Sequence, residues 1–362
     1  MGADERNRLI EALQRGDLSA LRACIKQNQK LACSPQVVLE AARLGWVEAF
    51  DLLLRNGADP NVRWRGYRPL HALIQEEPHG KRGSLPAERV AALRWLFERG
   101  ADPEQLGGWP STRAIVTAAF VGEPKYVEEA RRAGAKMDAF VSAALGNRSG
   151  VEKALAKEPD FALKRDPGGL TALHCCAGSR LGRANKRTRD SLLSIGALLL
   201  DAGADANARA RGWSHELDVA YFAVSSRQRE LFALLLKRGA DPEAALPSAM
   251  WQGETGLVEL TLAHGATLDG AKDGEKPLLN QMIRWGRISQ ALWMLNHGAS
   301  PNVSDEQGWT AVHQAASRGN ERVLKALLDA GGDRSRQDLL GRTPLAVAQE
   351  MRKTKMVALL GG

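Results

Sequence analysis

Val323, Leu324, Leu327 and Leu328 fall three and four residues apart, the spacing that lays one apolar face along a helix. The stretch before them carries Ala315 and Ala316 in place of bulky side chains, which predicts a helix thin enough for close stacking. The punctuation agrees with this reading. Gly308 allows a turn, and the Thr310 hydroxyl is placed to accept a free backbone N–H at the start of the first helix. Gly331 supplies the left-handed residue that helix C-termini favour. In residues 341–348, Pro344 stands at a first helical position, where its missing donor costs nothing. The pattern predicts a unit made of a turn, a thin inner helix and an outer helix with one apolar face.

That unit recurs along the chain. Its opening in GWTAVHQAASRGNERVLKALLDAGGD (308–333) returns as GLTALHCCAG (169–178), GYRPLHAL (66–73) and GRTPLAVA (341–348). Its ending returns as GADPN (57–61), GADPE (100–104), GAKMD (134–138), GADAN (203–207), GADPE (239–243), GATLD (265–269) and GASPN (298–302). These segments resemble the ankyrin repeat, a turn-helix-helix unit of about 33 residues with a T-P-L-H-x-A signature. The resemblance covers nearly the whole chain. It implies an all-α ankyrin-repeat solenoid of about ten to eleven stacked helix-turn-helix units, with β-turn fingers and irregular repeat lengths. On that expectation residues 1–362 form a single solenoid, with 1–34 as an N-terminal capping helix pair and 334–362 as a C-terminal capping repeat.

The irregular lengths have an order of their own. Steps between endings run long, medium and short twice before settling at 33 residues, which suggests a duplicated block of three units and a third block without the added length. The short units near 138 and 243 predict kinks in the stacking. In both long units the extra residues lie between the two helices, in 74–86 and 178–190. The first stretch is nearly neutral. The second, GSRLGRANKRTRD, holds Arg180, Arg183, Lys186, Arg187 and Arg189 against one acid, Asp190. It is either a solvated loop or a contact for a partner. If Thr188 or Asp190 begins the second helix, Arg183, Lys186 and Arg187 flank its start, a poor place for positive charge against the helix dipole.

Candidate chemistry narrows the function classes. His71, His174 and His313 hold the signature position of the inner helix, where the family resemblance implies a structural hydrogen bond, and His264 and His297 precede the glycine of an ending. His79 and His215 have no nucleophile or acid partner identifiable by spacing. No GxSxG, HExxH, Walker loop or dinucleotide fingerprint is present, so no catalytic residue, cofactor or small-molecule substrate is expected. Cys24, Cys33, Cys175 and Cys176 lack metal-ligand spacing and read as reduced thiols, so no metal is expected. The start has no apolar signal region, Arg6 stands where a myristoylation motif needs Ser or Thr, and no apolar run is long enough to span a membrane. A cytoplasmic monomer with no membrane contact is the expectation.

The turns carry the recognition signal. Arg63, Trp64, Arg65, Tyr67 and Arg68 crowd one, Trp109 and Arg113 a second, and Arg209, Arg211 and Trp213 a third; Trp309 follows the glycine of another. The resemblance places such residues on finger tips facing a concave groove, where an aromatic either packs along the ribbon of turns or meets a partner. Trp and Arg dominate binding hot spots. Trp46, Trp95, Trp251, Trp285 and Trp293 lie in helices or their turns and read as core or inter-repeat packing. The formal charge of +8 favours acidic partners. Two functions follow: a non-catalytic scaffold that grips an acidic partner protein with the fingers and the 178–190 insertion, or an ankyrin solenoid that binds nucleic acid with the same cationic residues.

Overall fold

The computed structural model describes residues 3–75, 86–212, 216–270 and 277–361. It divides into two compact units, Met1–Gly239 and Ala240–Gly362. In the first unit the helices come in seven antiparallel pairs. These are α1 (Ala3–Arg15) with α2 (Leu18–Gln27), α3 (Pro35–Leu44) with α4 (Val47–Arg55), α5 (Pro69–Gln75) with α6 (Pro86–Glu98), and α7 (Ala114–Val121) with α8 (Pro124–Arg132). They continue with α9 (Ala139–Leu145) and α10 (Arg148–Lys157), α11 (Ala172–Gly178) and α12 (Lys186–Asp201), and α13 (Val219–Ser225) and α14 (Arg229–Lys237). The second unit holds α15 (Pro242–Gln252) with α16 (Thr255–Ala263), α17 (Leu278–Arg284) with α18 (Ile288–Asn296), α19 (Ala311–Arg318) with α20 (Glu321–Asp329), and α21 (Pro344–Glu350) with α22 (Thr354–Gly361). Eleven pairs among the described residues match the count expected from the repeats.

Within each pair the first helix is the thin one. Ala41, Ala42, Ala118, Ala119, Ala315 and Ala316 are all buried, so the inner helices from α1 to α13 in the first unit, and α17, α19 and α21 in the second, pack directly on one another. The ends are fixed by short side chains. Asp17, Asp138, Asn147, Asn185, Asp218 and Asp241 each accept a backbone N–H of the first turn that follows them. The asparagine closing three of the endings has its own task. Asn61 Nδ2 donates to Gly100 O at 2.8 Å and Asn61 Oδ1 accepts Asp102 N at 2.8 Å; Asn302 does the same with Gly331 O and Asp333 N. Each such amide ties one turn to the next.

The fingers are short hairpins. Trp64 and Tyr67 exchange two backbone hydrogen bonds of 3.0 Å around Arg65 and Gly66, both with positive φ, and β1 (Arg209–Arg211) pairs with β2 (Glu216–Asp218). Aspartates build the others. Asp166, Asp305 and Asp338 each accept, through Oδ1, the N–H groups two and four residues ahead.

The short repeat at 134–138 contributes no hairpin: after Gly134 the chain enters α9 directly, capped by Asp138. The fingers on either side of it close up. The Gly168 α-carbon lies so near Ser111 that a Cβ there would stand 2.0 Å from Ser111 O. Arg165 Nη1 then reaches Arg209 O at 2.7 Å. On the inner face α7 touches α11 as well as α9, Arg180 N donates to Ala119 O at 2.9 Å, and Phe120 meets Phe222 with ring centres 5.9 Å apart. The uneven stacking expected near 138 takes this form, with the inner face of the first unit drawn shut between α7 and α13.

One expectation needs correction. The added residues of the second long unit are not a plain loop, because α12 begins at Lys186, with Asn185 as its cap, and runs 16 residues where α14 and α20 have nine. Trp251 and Trp285 are 41% and 48% exposed, yet their rings meet edge-on at 5.1 Å between α15 and the end of α17, as inter-repeat packing requires. Trp46 is buried, Trp95 stands edge-on to Phe50, and Trp293 stacks on His297. The first insertion, 76–85 within 74–86, and with it His79, lies outside the described residues, as do Trp213 and His215.

A methyl group at Gly168 separates two fingers that touch through backbone. Gly168→Ala is expected to lower stability by about 1–3 kcal/mol or more, measured by urea unfolding.

Candidate recognition surface

The residues expected on the fingers divide into those that face water and those used by the fold. Arg63 and Arg65 are exposed, and the Arg65 guanidinium lies 4.5 Å from the centre of the Trp64 ring. Tyr67 is half-buried. Arg68 turns inward instead: Nε donates to Leu106 O at 2.9 Å and Nη1 to Asn61 O, joining two fingers. Burial, with Arg63 nearby, pulls its pKa below the ordinary arginine value.

Trp109 is half-buried and clasped by Gln75, which accepts its N–H at 2.9 Å and donates to its carbonyl at 2.7 Å. Its ring stands edge-on to Tyr221, 6.1 Å away, so it fills the closed inner face instead of lining a groove. Arg113 is only 4% exposed and bridges Asp138 at 2.7 Å and Glu104 at 3.5 Å. It is an internal clamp for the fingerless repeat. Arg209 and Arg211 point outward from β1 while Ala210 between them is buried.

The basic stretch 178–190 divides in the same way. Arg180 is half-buried beside the C-terminal end of α7, and desolvation lowers its pKa. Arg183 Nε and Nη2 donate to Ser226 O and Ser225 O at 3.0 Å each, satisfying carbonyls at the end of α13. Lys186, Arg187 and Arg189 remain exposed on the first turn of α12.

The second unit holds an open groove of about 440 Å³, lined by Arg284, Gln307, Trp309, Gln314, Ser317 and Arg318. Trp309 is half-buried, and its indole N–H donates to Asp338 Oδ2 at 3.1 Å. Burial would raise the Asp338 carboxyl, but the N–H groups of Arg342 and Leu340 and the Arg342 guanidinium hold it down at about 2. Arg284 and Arg318 are exposed and make no ion pair with any described residue. The sequence reading found Trp309 and missed both arginines. Their signal was positional: each lies within two residues of the glycine that ends its inner helix, Gly286 or Gly319.

The buried titratable groups are structural. His71 Nε2 meets Thr112 O at 2.8 Å and His313 Nε2 meets Arg342 O at 3.1 Å, tying neighbouring repeats together, while His174 Nδ1 meets the Thr171 hydroxyl at 2.7 Å. Burial pushes His71 and His174 down to about 4. Burial pushes the Cys176 thiol up to about 12 and Cys175 well above its usual value, so neither is a poised nucleophile. Among the described residues, no three His, Cys, Asp or Glu side chains converge on a metal-sized site. No helix among them is long and apolar enough to cross a membrane.

Comparison with known proteins bears on residues 279–361, which match the family model for ankyrin repeats in three copies. An ankyrin repeat-containing protein of Schizosaccharomyces pombe is 41% identical over 66 residues, 18% of this chain and 32% of that protein. Mouse inversin is 30% identical over 128 residues, 35% of this chain and 12% of that protein. The matched segments thus span about a third or less of these relatives. The ankyrin repeat domain of human ASB11 aligns with a TM-score of 0.47 at 20% identity, covering 63% of this chain and 99% of that domain.

The neutral histidines set an acid limit. Their folded pKa lies below the unfolded 6.5, so their stabilisation is complete above that value and is lost as pH falls from about 6.5 to 4. The melting temperature is expected to drop across this window, with about 3 kcal/mol from each fully buried imidazole, and a flat profile there contradicts the assignment.

Proposed function

We propose that this chain, which belongs to the ankyrin-repeat proteins, is a non-catalytic recognition scaffold for a partner protein with an acidic surface. Ankyrin repeats generally mediate protein–protein interaction. The observation that carries the acidic preference is a set of exposed cations that make no ion pair with any described residue: Arg63, Arg65 and Arg211 on the fingers, and Lys186, Arg187 and Arg189 on α12. The excess of Lys and Arg over Asp and Glu is carried by residues 1–239, while 240–362 is close to balanced. Trp64, Tyr67 and Arg209 add contact area beside them, and Trp309 offers contact area on the second unit. On this reading residues 1–34 and 334–362 serve as capping ends.

Protein is favoured over nucleic acid by what the fold does with the rest of the basic stretch. Of its five cations, Arg183 is held by Ser225 O and Ser226 O and Arg180 is half-buried, so the array of phosphate contacts that its composition suggests is broken up. The half-buried Trp109 stands edge-on to Tyr221 with its backbone held by Gln75, which makes it a poor platform for a base.

The test compares wild type with a variant carrying Arg63→Ser, Arg65→Ser, Arg211→Ser, Lys186→Ser, Arg187→Ser and Arg189→Ser. Affinity capture at physiological ionic strength is expected to recover one stoichiometric protein with wild type and to lose it with the variant. Anisotropy with labelled single- and double-stranded oligonucleotides is expected to show no binding at that ionic strength. Oligonucleotide binding that survives physiological salt and disappears in the variant would replace this function with nucleic-acid binding.

A further inference from the structure

The capping glycines of the second unit bring a set of side chains into register. Gly253, Gly286 and Gly319 end α15, α17 and α19 with positive φ. Two residues before each stand Trp251, Arg284 and Ser317; one before stand Gln252, Trp285 and Arg318. At the matching positions of α21 are Glu350, held by Arg342 at 3.0 Å, and Met351, which is 48% exposed. The inner helices α17, α19 and α21 pack on one another and Trp251 meets Trp285, so these rows run across the unit as one strip.

The chemistry along the strip is segregated. At one end Trp251 and Trp285 stand edge to face with centres 5.1 Å apart, and Arg287 lies 3.9 Å over the Trp251 ring. In the middle Arg284 and Arg318 flank the 440 Å³ groove with Gln314 and Ser317 beneath them. At the far end Met351 is 48% exposed, beside Glu350, whose carboxylate Arg342 holds at 3.0 Å. Large apolar side chains so exposed are uncommon on a surface without a partner, and here they bracket two guanidiniums that no described acid neutralises.

We infer that this strip docks an extended acidic segment of a partner protein, with apolar side chains at its two ends and carboxylates between them. Charge complementarity places the carboxylates on Arg284 and Arg318. The apolar ends fit the indole pair at one side and Met351 at the other. Inner helices stack about 10 Å apart, so the distance from α15 to α21 is roughly 30 Å, about nine residues of extended chain. Arg287 over Trp251 disfavours a cationic anchor there. The inference rests on the scaffold reading but concerns a different surface from the fingers of the first unit.

The probe is a fluorescein-labelled decapeptide with leucine pairs at both ends and alternating glutamate and serine between them, read by anisotropy on the full chain. Saturable binding is expected, weakened at least tenfold when glutamine replaces glutamate or serine replaces leucine in the probe. The variants Arg284→Ser with Arg318→Ser, and Trp285→Ser alone, are expected to lose at least tenfold while melting as wild type does. Arg63→Ser with Arg65→Ser and Arg211→Ser is expected to bind the probe unchanged. Absence of saturable binding, equal binding of the glutamine probe, loss in the finger variant, or competition by a dT10 oligonucleotide at equal affinity would each overturn the inference. If the decapeptide fails while partner capture by the fingers persists, the scaffold function stands and only the strip is wrong.

Discussion

Ser111 O and the α-carbon of Gly168 stand so close that no side chain fits between them, and the repeat that separates them in sequence is the cause. A repeat with a finger holds its neighbours' fingers apart. The 134–138 turn has none, so the fingers before and after it meet through backbone, and Arg113 supplies the clamp by reaching Asp138 and Glu104. Once the fingers meet, the inner helices behind them converge. Phe120, His174, Tyr221 and Phe222 gather into one aromatic cluster, with Trp109 closing its edge.

This closure decides which cations remain for recognition. Arg180 is half-buried beside the end of α7 and Arg183 donates to the carbonyls of Ser225 and Ser226, while the tips at Arg63, Arg65 and Arg211 stay in water. In the second unit no such closure occurs between α17 and α19, where the groove beside Trp309 remains open. The two units thus offer different surfaces: cationic fingertips on the first, and an aromatic and arginine strip on the second.

The repeats were legible because each local signal repeats a physical need: Gly at a left-handed helix end, Thr or Pro at a helix start, alanine where helices stack. The finger aspartates Asp166, Asp305 and Asp338 were legible in principle, since each sits a fixed distance ahead of the turn it organises, yet they carry no apolar periodicity to mark them. The missing finger could be read as a short step but not its consequence, because closure depends on contacts between residues more than fifty positions apart, such as Ser111 with Gly168 and Phe120 with Phe222. Charge was the least reliable guide. Arg113 and Arg68 look like surface cations in sequence, and only the tertiary structure shows that their hydrogen bonds lie inside.

The closure of the first unit is tested most directly by a double-mutant cycle on Phe120→Leu and Phe222→Leu, with each variant's stability measured by urea unfolding. Rings in contact across α7 and α13 predict a coupling of about 0.5–1.5 kcal/mol. Changes that add to within about 0.3 kcal/mol would show that the two rings do not meet and that the inner face of the first unit is open.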